Sequence, residues 1–298
     1  EHIESQTGVL RKMFEYQMGW GDEHGNDVSP LHTSRFHGYL CLLICESMTG
    51  DYMRAMPASV AVELIYNFII AHEDVQSGSP NRNNRPTVWW LWGPGQAINA
   101  GDGLHSLGRL ALGKLHEFNI SADTTIRCLE LLDRSCIALC EGQYMDLDFQ
   151  EKLNIGFSEY LKMAELKSGS LISCAMGLGG LVAGANPGSV EALEKCGKGL
   201  GIAYQIRQDI DSFQGVLPDN VPPDNVLNKK KLLPVVHLLE KGDLKTKRTL
   251  GSMYFKRLLD LEDFQEIGKI LEQHSAFTYS WSKLAAYCDD VITIMDTI

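Results

Sequence analysis

Apolar residues recur at three- and four-residue spacing along most of the chain, and strand-like alternation is almost absent. The longest polar interruptions are two loops, at 77–86 and 216–231. We find no repeat of solenoid period and no linker, so we expect one all-α, antiparallel helical domain over 1–298. The spacing predicts helices over 35–49, 52–76, 96–115, 121–144, 151–166, 168–185 and 188–215, with two or three more in 232–297.

Four glycines, at positions 177, 179, 180 and 184, lie within the helix predicted over 168–185. No strand precedes them, which argues against a phosphate-binding loop. They indicate close approach of a neighbouring helix instead.

The first candidate site is the cluster His72-Glu73-Asp74-Val75-Gln76-Ser77, which ends an otherwise apolar helix. On a helix Glu73, Gln76 and Ser77 share one face and Asp74 lies at its flank. Two adjacent carboxylates can bind a hard divalent cation through oxygen. A polar helix end that faces water explains the same residues, and spacing alone leaves both interpretations open.

The second candidate site is a polar stripe on the helix predicted over 188–215. Gln205, Gln208, Asp209 and Ser212 follow one another at helical spacing, while Asp211 points about a third of a turn away. The stripe indicates a polar site inside an apolar bundle, although a solvated helix face fits the pattern too.

Composition narrows the classes of function. With 38 acidic and 27 basic residues the net charge is −11, which argues against a nucleic-acid surface. The longest apolar runs are shorter than the roughly 20 residues of a membrane span, so no transmembrane segment is expected. The eight cysteines form no Cys-x-x-Cys pair, which is typical of free thiols in a reducing cytosol. We therefore expect a cytoplasmic protein.

The segment from Glu63 to Val75 resembles the first aspartate-rich helix of the trans-polyprenyl diphosphate synthase family. This resemblance implies an α-helical bundle around a central cavity, an allylic prenyl diphosphate substrate, Mg²⁺ as cofactor and a homodimer. Further segments resemble the family in the same order along the chain: Arg82-Asn83-Asn84-Arg85-Pro86-Thr87, Ala97 to Leu104, Glu141 to Leu147, Lys167 to Leu171, Gln205 to Ser212 and Lys230 to Pro234.

The resemblance also implies roles for individual residues. The metal ligands would be Glu73, Asp74, Gln208, Asp209 and Ser212. The substrate diphosphate would be bound by Arg82, Lys167, Lys230 and Arg35. Gln205, Lys167 and Asp209 would be catalytic, and Phe68, Ile69, Trp89 and Tyr204 would line the prenyl tunnel.

The two aspartate-rich motifs depart from the family pattern. They read Glu73-Asp74-x-x-Ser77 and Gln208-Asp209-x-x-Ser212, and Asn83 stands where the family has the second arginine of a diphosphate-binding pair. Hard cations need enough anionic oxygen ligands, so we expect weaker or rearranged metal binding.

The segment that binds isopentenyl diphosphate in the family is also altered. Its best register here is Thr33 to Gly38, in which only Arg35 matches a basic position, so the clamp for a second diphosphate loses a lysine and an arginine. The second motif is similar to the class I terpene cyclase pattern Asn-Asp-x-x-Ser-x-x-x-Glu, except for Gln208 at its start and Val216 at its end.

Three hypotheses follow. The first, which the altered clamp favours, is a prenyl diphosphate enzyme that ionises its substrate and then cyclises it or transfers it to an acceptor other than isopentenyl diphosphate. The second is a conventional chain-elongating synthase, and the third is a non-catalytic partner that keeps the fold. Retention of Arg82, Lys167, Gln205 and Lys230 speaks against the third.

An apolar stripe on the helix predicted over 96–115 is a candidate dimer face. The stripe Ala97, Ala100, Leu104, Leu107 and Ala111 is compatible with helix packing across a homodimer, or with the core.

In the family, the residues four and five positions before the first motif line the tunnel. We therefore expect the ring of Phe68 to floor the cavity and limit the tail to roughly ten to fifteen carbons, or twenty if the helix is shifted.

Overall fold

The computed structural model describes residue 3 and residues 8–28, 35–214, 222–256 and 259–298. The all-α prediction is confirmed: the described residues form fourteen α-helices, short 3₁₀ and π-helical turns and one two-stranded hairpin. The helices are α1 Val9–Gln17, α2 Phe36–Thr49, α3 Met56–Ser77, α4 Val88–Trp92, α5 Pro94–Gly113, α6 Ala122–Gln150, α7 Phe157–Ala164, α8 Ser170–Ala183, α9 Pro187–Gln214, α10 Asp224–Leu227, α11 Leu233–Lys241, α12 Leu244–Tyr254, α13 Leu261–Gln273 and α14 Ala276–Met295; the strands are β1 Asn81–Arg82 and β2 Arg85–Pro86.

The chain divides into two compact units. Unit 1 takes Glu1–Arg134 with Cys174–Val190, and unit 2 takes Ser135–Ser173 with Glu191–Ile298. The expectation of a single domain over 1–298 stays a prediction.

The core of unit 1 lies where α3 packs along α5. Ile65 on α3 and Leu104 and Leu112 on α5 have no exposed surface or almost none. A side chain at Gly108 would come within 3.2 Å of the Ala61 carbonyl and of Ile65, so the two helices approach closely at this point. Close helix packing of this kind fixes the direction of α3, which carries the first acidic cluster at its end.

The Ala/Leu stripe of α5 belongs to this core. Its five residues are between 0% and 4% exposed, so the suggestion that this face supports a dimer is wrong. The exposed apolar side chains of α5 are instead Ile98 and Leu110.

Two helical stretches, Tyr52–Ser77 and Phe157–Ala183, are long and apolar enough to cross a membrane by length and composition alone. Within their apolar windows, 61% and 83% of residues are buried inside the protein. Burial of this extent is typical of core helices, which need the same apolar composition.

Glycines allow close helix packing in both units. In unit 1 a side chain at Gly179 would meet the Cys41 carbonyl of α2 at 2.6 Å, which confirms the predicted close approach at that position. Gly184 has φ of +81° just beyond the end of α8, where a left-handed residue terminates a helix. In unit 2 Gly201 of α9 faces Gly169, whose Cα would lie 2.4 Å from an added Cβ.

Unit 2 is built around a large apolar core to which α7, α9 and the helices from α11 to α14 all contribute. Tyr160, Ile206, Ile210, Val235 and Leu271 are buried at its centre. The sequence predicted two or three helices after residue 232, and the described residues form four, because the helices are also divided at 242–243, between Tyr254 and Leu261, and at 274–275.

The close packing at Gly201 predicts a large effect of one methyl group. Gly201→Ala should lower the free energy of unfolding by about 1–3 kcal/mol, because the neighbouring atoms are backbone and cannot rotate away. Gly268→Ala on α13 is the control: no atom lies within 4 Å of its added Cβ, so it should be neutral or stabilise by up to about 1 kcal/mol. Urea unfolding of both variants measures the difference, and equal effects would contradict the packing described here.

Candidate active-site residues in the two units

The acidic cluster of unit 1 is held together by an arginine from the hairpin that follows α3. Arg82 Nε donates to Asp74 Oδ1 at 2.7 Å, and its Nη2 donates to Glu73 Oε2 at 3.3 Å. The Glu73 and Asp74 side chains are only 13% and 4% exposed. Two partly desolvated carboxylates are therefore neutralised in part by one guanidinium, which is the charge-assisted pairing that burial requires.

The hairpin geometry accounts for Asn83. Strands β1 and β2 pair Arg82 with Arg85, which leaves Asn83 and Asn84 as the two turn residues with φ of 51° and 60°. Such a turn needs two left-handed residues, and asparagine tolerates that conformation better than arginine does. Arg85 lies over the Tyr16 ring at 4.0 Å and donates to the Gly21 carbonyl. Asn83 therefore serves the turn.

The predicted tunnel residues of unit 1 have neighbours within the protein. Trp89 Nε1 donates to the Ser79 carbonyl at 2.7 Å, so this tryptophan anchors the loop after α3. Phe68 is half-buried and packs edge-to-face against His72 and His105, with ring centroids 4.8 and 5.3 Å away. Ile69 is also half-buried. The tunnel roles of these three residues stay predictions.

Arg35 lies at the start of α2. Its Nη2 donates to the Met18 carbonyl at 2.5 Å, and its Nη1 is 3.7 Å from Glu63 Oε2. Glu63 also accepts from the Gly38 backbone N–H at 2.7 Å and so caps α2, and burial raises the pKa of its carboxyl group. Arg35 and Glu63 line a cavity of about 900 Å³ in unit 1. Thr33 and Ser34 of the predicted clamp, like Val216 of the cyclase-like pattern, lie outside the described residues.

Unit 2 contains a buried group of cations that shares one carboxylate. Lys167 Nζ and Lys230 Nζ are 2.6 and 3.2 Å from the same oxygen, Oδ2 of Asp146. Asp146 and Lys230 are 4% and 5% exposed. Two ammonium groups gathered on one carboxylate lie close enough together to donate to an incoming anion as well.

The next residue, Lys231, was not predicted to be part of the site. Its Nζ donates to the carbonyls of Gln150 and Lys229, both at 3.1 Å, and lies 4.8 Å from the centre of the Tyr254 ring. Burial, followed by repulsion from Lys229, lowers its pKa to about 8. Three consecutive lysines are typical of a solvated loop, so the local sequence did not indicate that two of them are buried.

Asp209 is the most buried polar residue of the second motif, with 1% exposed surface. Its Oδ1 accepts from Gln205 Nε2 at 2.8 Å, and its Oδ2 accepts from the Tyr160 hydroxyl at 2.7 Å and from the Leu233 backbone N–H at 2.8 Å. Burial raises the pKa of Asp209 to about 6, although the three hydrogen bonds act in the opposite direction. Gln205 in turn accepts from the Ser168 hydroxyl at 2.5 Å.

The remaining residues of the second motif differ in exposure. Gln208 is exposed, whereas Ser212 is buried and donates its hydroxyl hydrogen to the Gln208 carbonyl at 2.9 Å. Asp211 is exposed and pairs with Arg207 at 2.8 Å, as expected for a residue off the stripe. Tyr204, a predicted tunnel residue, is 37% exposed.

The donor sets of the two motifs fit a hard cation unequally. Glu73 and Asp74 supply carboxylate oxygens of the type that Mg²⁺ prefers. In the second motif the buried carboxylate has its oxygens occupied by protein donors, and Gln208 and Ser212 are neutral. Within the described ranges no three His, Cys, Asp or Glu side chains are arranged to hold a metal ion.

Residues 27–271 match the polyprenyl synthetase family. The chain is 34% identical over 240 residues to a geranylgeranyl diphosphate synthase of Mycobacterium tuberculosis, covering 80% of this chain and 67% of that protein. It is 31% identical over 235 residues to a (2E,6E)-farnesyl diphosphate synthase of the same organism, covering 78% and 64%. The matched region thus spans about two thirds of these relatives. A crystal structure of a polyprenyl synthetase from Streptomyces coelicolor superposes with a TM-score of 0.89 at 26% identity, covering 100% of this chain and 89% of that one.

The raised pKa of Asp209 predicts a pH dependence of stability. Because its folded pKa, about 6, lies above the ordinary value of 3.8, ionised Asp209 destabilises the folded state. The free energy of unfolding should therefore fall by up to about 3 kcal/mol, relative to Asp209→Asn, as the pH rises from 4 to 7. Urea unfolding of both proteins across that range measures it, and parallel pH profiles would contradict it.

Proposed function

Because this chain belongs to the polyprenyl synthetase family, we propose that it is a chain-elongating prenyl diphosphate synthase with products of about fifteen to twenty carbons. The similarity over 80% of the chain to a geranylgeranyl diphosphate synthase carries this proposal. It replaces transfer to another acceptor as the favoured hypothesis, because the relatives named above are synthases of elongated diphosphates.

The proposed reaction breaks the allylic carbon–oxygen bond and releases pyrophosphate. The double bond of isopentenyl diphosphate then forms the new carbon–carbon bond, and a proton leaves to restore the alkene. Each step requires positive charge around the departing pyrophosphate and exclusion of water from the carbocation.

A charged cluster in each unit supports this chemistry. Asp146 holds the ammonium groups of Lys167 and Lys230 near each other, so both can donate to one diphosphate without a prior change of side-chain position. In unit 1, Arg82 lies beside Glu73 and Asp74. When Mg²⁺ is bound it supplies further positive charge to the leaving group, and Glu73 and Asp74 are the residues that would hold it.

A second candidate reaction, without isopentenyl diphosphate, is favoured by the occupied state of the predicted clamp. Arg35 Nη2 donates to the Met18 carbonyl, and its Nη1 lies 3.7 Å from Glu63 Oε2. If no second diphosphate binds there, the ionised substrate would be cyclised or transferred to a different acceptor.

The proposal extends to assembly and location. A homodimer is expected of the family, and the exposed Ile98 and Leu110 of α5 are apolar side chains that a partner would cover. None of the eight cysteines forms a disulfide bond, which supports a reducing, cytoplasmic location.

Labelled isopentenyl diphosphate tests the choice between the two reactions. The protein is incubated with Mg²⁺ and with dimethylallyl, geranyl, farnesyl or geranylgeranyl diphosphate, and products are extracted together with a measurement of free pyrophosphate. We expect label in a longer prenyl diphosphate, with one pyrophosphate released per isopentenyl unit consumed. Pyrophosphate release without incorporation of label would support the second candidate and contradict chain elongation.

Chain length should depend on Phe68. Replacement by alanine removes a half-buried ring beside His72 and His105, and it should shift the products toward longer chains if that ring limits the tunnel. The stability cost should not exceed about 3 kcal/mol. Phe255→Ala, at a residue 76% exposed, is the control. An unchanged product distribution in Phe68→Ala would show that the ring packs only against the two histidines.

A further inference from the structure

We propose that Asp209 is a positioning residue for the lysines of unit 2 and not a ligand of Mg²⁺. The link between these lysines and a diphosphate rests on the proposed function. The positioning role itself is argued from hydrogen bonds within unit 2. Of the carboxylates that the resemblance implies as metal ligands, only Glu73 and Asp74 then remain.

The first argument is the hydrogen bonding of the carboxylate. Three protein donors already bind the two oxygens of Asp209. Mg²⁺ demands near-octahedral coordination and usually keeps several waters, which a carboxylate enclosed by Gln205, Tyr160 and Leu233 cannot accommodate. A metal at Oδ2, which already accepts from Tyr160 and Leu233, would also leave a buried donor without an acceptor, and such losses are costly.

The second argument is the contrast with the neighbouring residues of α9. Gln208 and Asp211 are exposed, so they are the members of the motif that a hydrated ion in solvent could reach. Gln208 is neutral, and Asp211 already pairs with Arg207. The carboxylate that the family pattern would assign to metal is thus the one turned away from solvent.

The third argument is what Asp209 holds. Helix α11 begins at Leu233, and its N-cap, Leu232, has no side chain that can accept a hydrogen bond. Asp209 supplies the missing acceptor from α9 through the Leu233 N–H. Lys230 and Lys231 lie three and two residues before Leu233, so this bond fixes the backbone from which both buried lysines extend.

Replacement of Asp209 by asparagine separates the role of anionic metal ligand from the role of hydrogen-bond acceptor at the start of α11. The side-chain carbonyl of the introduced asparagine could accept from both Tyr160 and Leu233, and its NH₂ could donate to Gln205 once the Gln205 amide turns over, with the Ser168 hydroxyl then serving as acceptor. The cap would survive while the anionic charge is lost. Replacement by alanine removes both.

The experiment compares Asp209→Asn and Asp209→Ala with the wild type, with Asp211→Ala as control. Three quantities are measured: the melting temperature without Mg²⁺, the KM for the allylic diphosphate, and the Mg²⁺ concentration that gives half-maximal binding of inorganic pyrophosphate by calorimetry. For Asp209→Asn we expect a half-maximal Mg²⁺ concentration within twofold of wild type and a KM raised less than threefold. Asp209→Ala should lose about 5 °C or more of melting temperature and raise KM at least tenfold.

An increase of tenfold or more in the Mg²⁺ requirement of a normally folded Asp209→Asn would overturn the proposal and restore Asp209 as a ligand. The proposal also fails if Asp209→Ala melts like wild type and Asp211→Ala. Should Asp209→Ala fail to fold, Asp209→Asn alone decides. If the wild type proves inactive, the proposed function fails, while melting and calorimetry still decide the role of Asp209.

Discussion

In each unit, buried ionic groups are compensated by partners of the same unit, and this pairing is the constraint on which the candidate site depends. Arg82 is shared by Glu73 and Asp74, and Asp146 is shared by Lys167 and Lys230. An uncompensated charge at such depth would destabilise the fold by several kcal/mol. The residues that suit Mg²⁺ and diphosphate are thus also residues that the unliganded fold needs.

The two clusters suit different ligands. In unit 1, Glu73 and Asp74 offer carboxylate oxygens of the type that Mg²⁺ prefers. In unit 2, Lys167 and Lys230 offer buried ammonium groups that can donate to an anion. Each cluster is held in place by charge pairing within its own unit.

Buried carboxylates also shape the fold by capping helices far away in sequence. Glu63 on α3 accepts from the start of α2, and Asp209 on α9 accepts from the start of α11. In both cases the capped helix lacks a side-chain cap of its own. The long helices that carry the two motifs therefore fix the neighbouring segments that carry Arg35 and Lys230.

Periodicity was sufficient to predict the long helices, because α3, α5 and α9 bury apolar faces of regular spacing. It placed three residues of the predicted polar stripe, Gln205, Asp209 and Ser212, on the buried side of α9, whereas the fourth, Gln208, is exposed. It could not show that Asp209 is enclosed, because Tyr160 and Leu233 lie 49 and 24 residues away. The burial of Lys231 and the hairpin turn at Asn83 likewise depend on tertiary contacts and backbone conformation.

Calorimetric titration of Mg²⁺ into the protein, with and without inorganic pyrophosphate, tests most directly whether the two ligands bind together. A titration of Mg²⁺ into pyrophosphate alone gives the heat to be subtracted. Because Arg82 competes for the oxygens of Glu73 and Asp74, and two carboxylates alone are a poor site for a hard cation, Mg²⁺ should show no saturable binding below about millimolar concentration without pyrophosphate, and clear saturation with it. Tight binding of Mg²⁺ to the free protein would contradict this dependence.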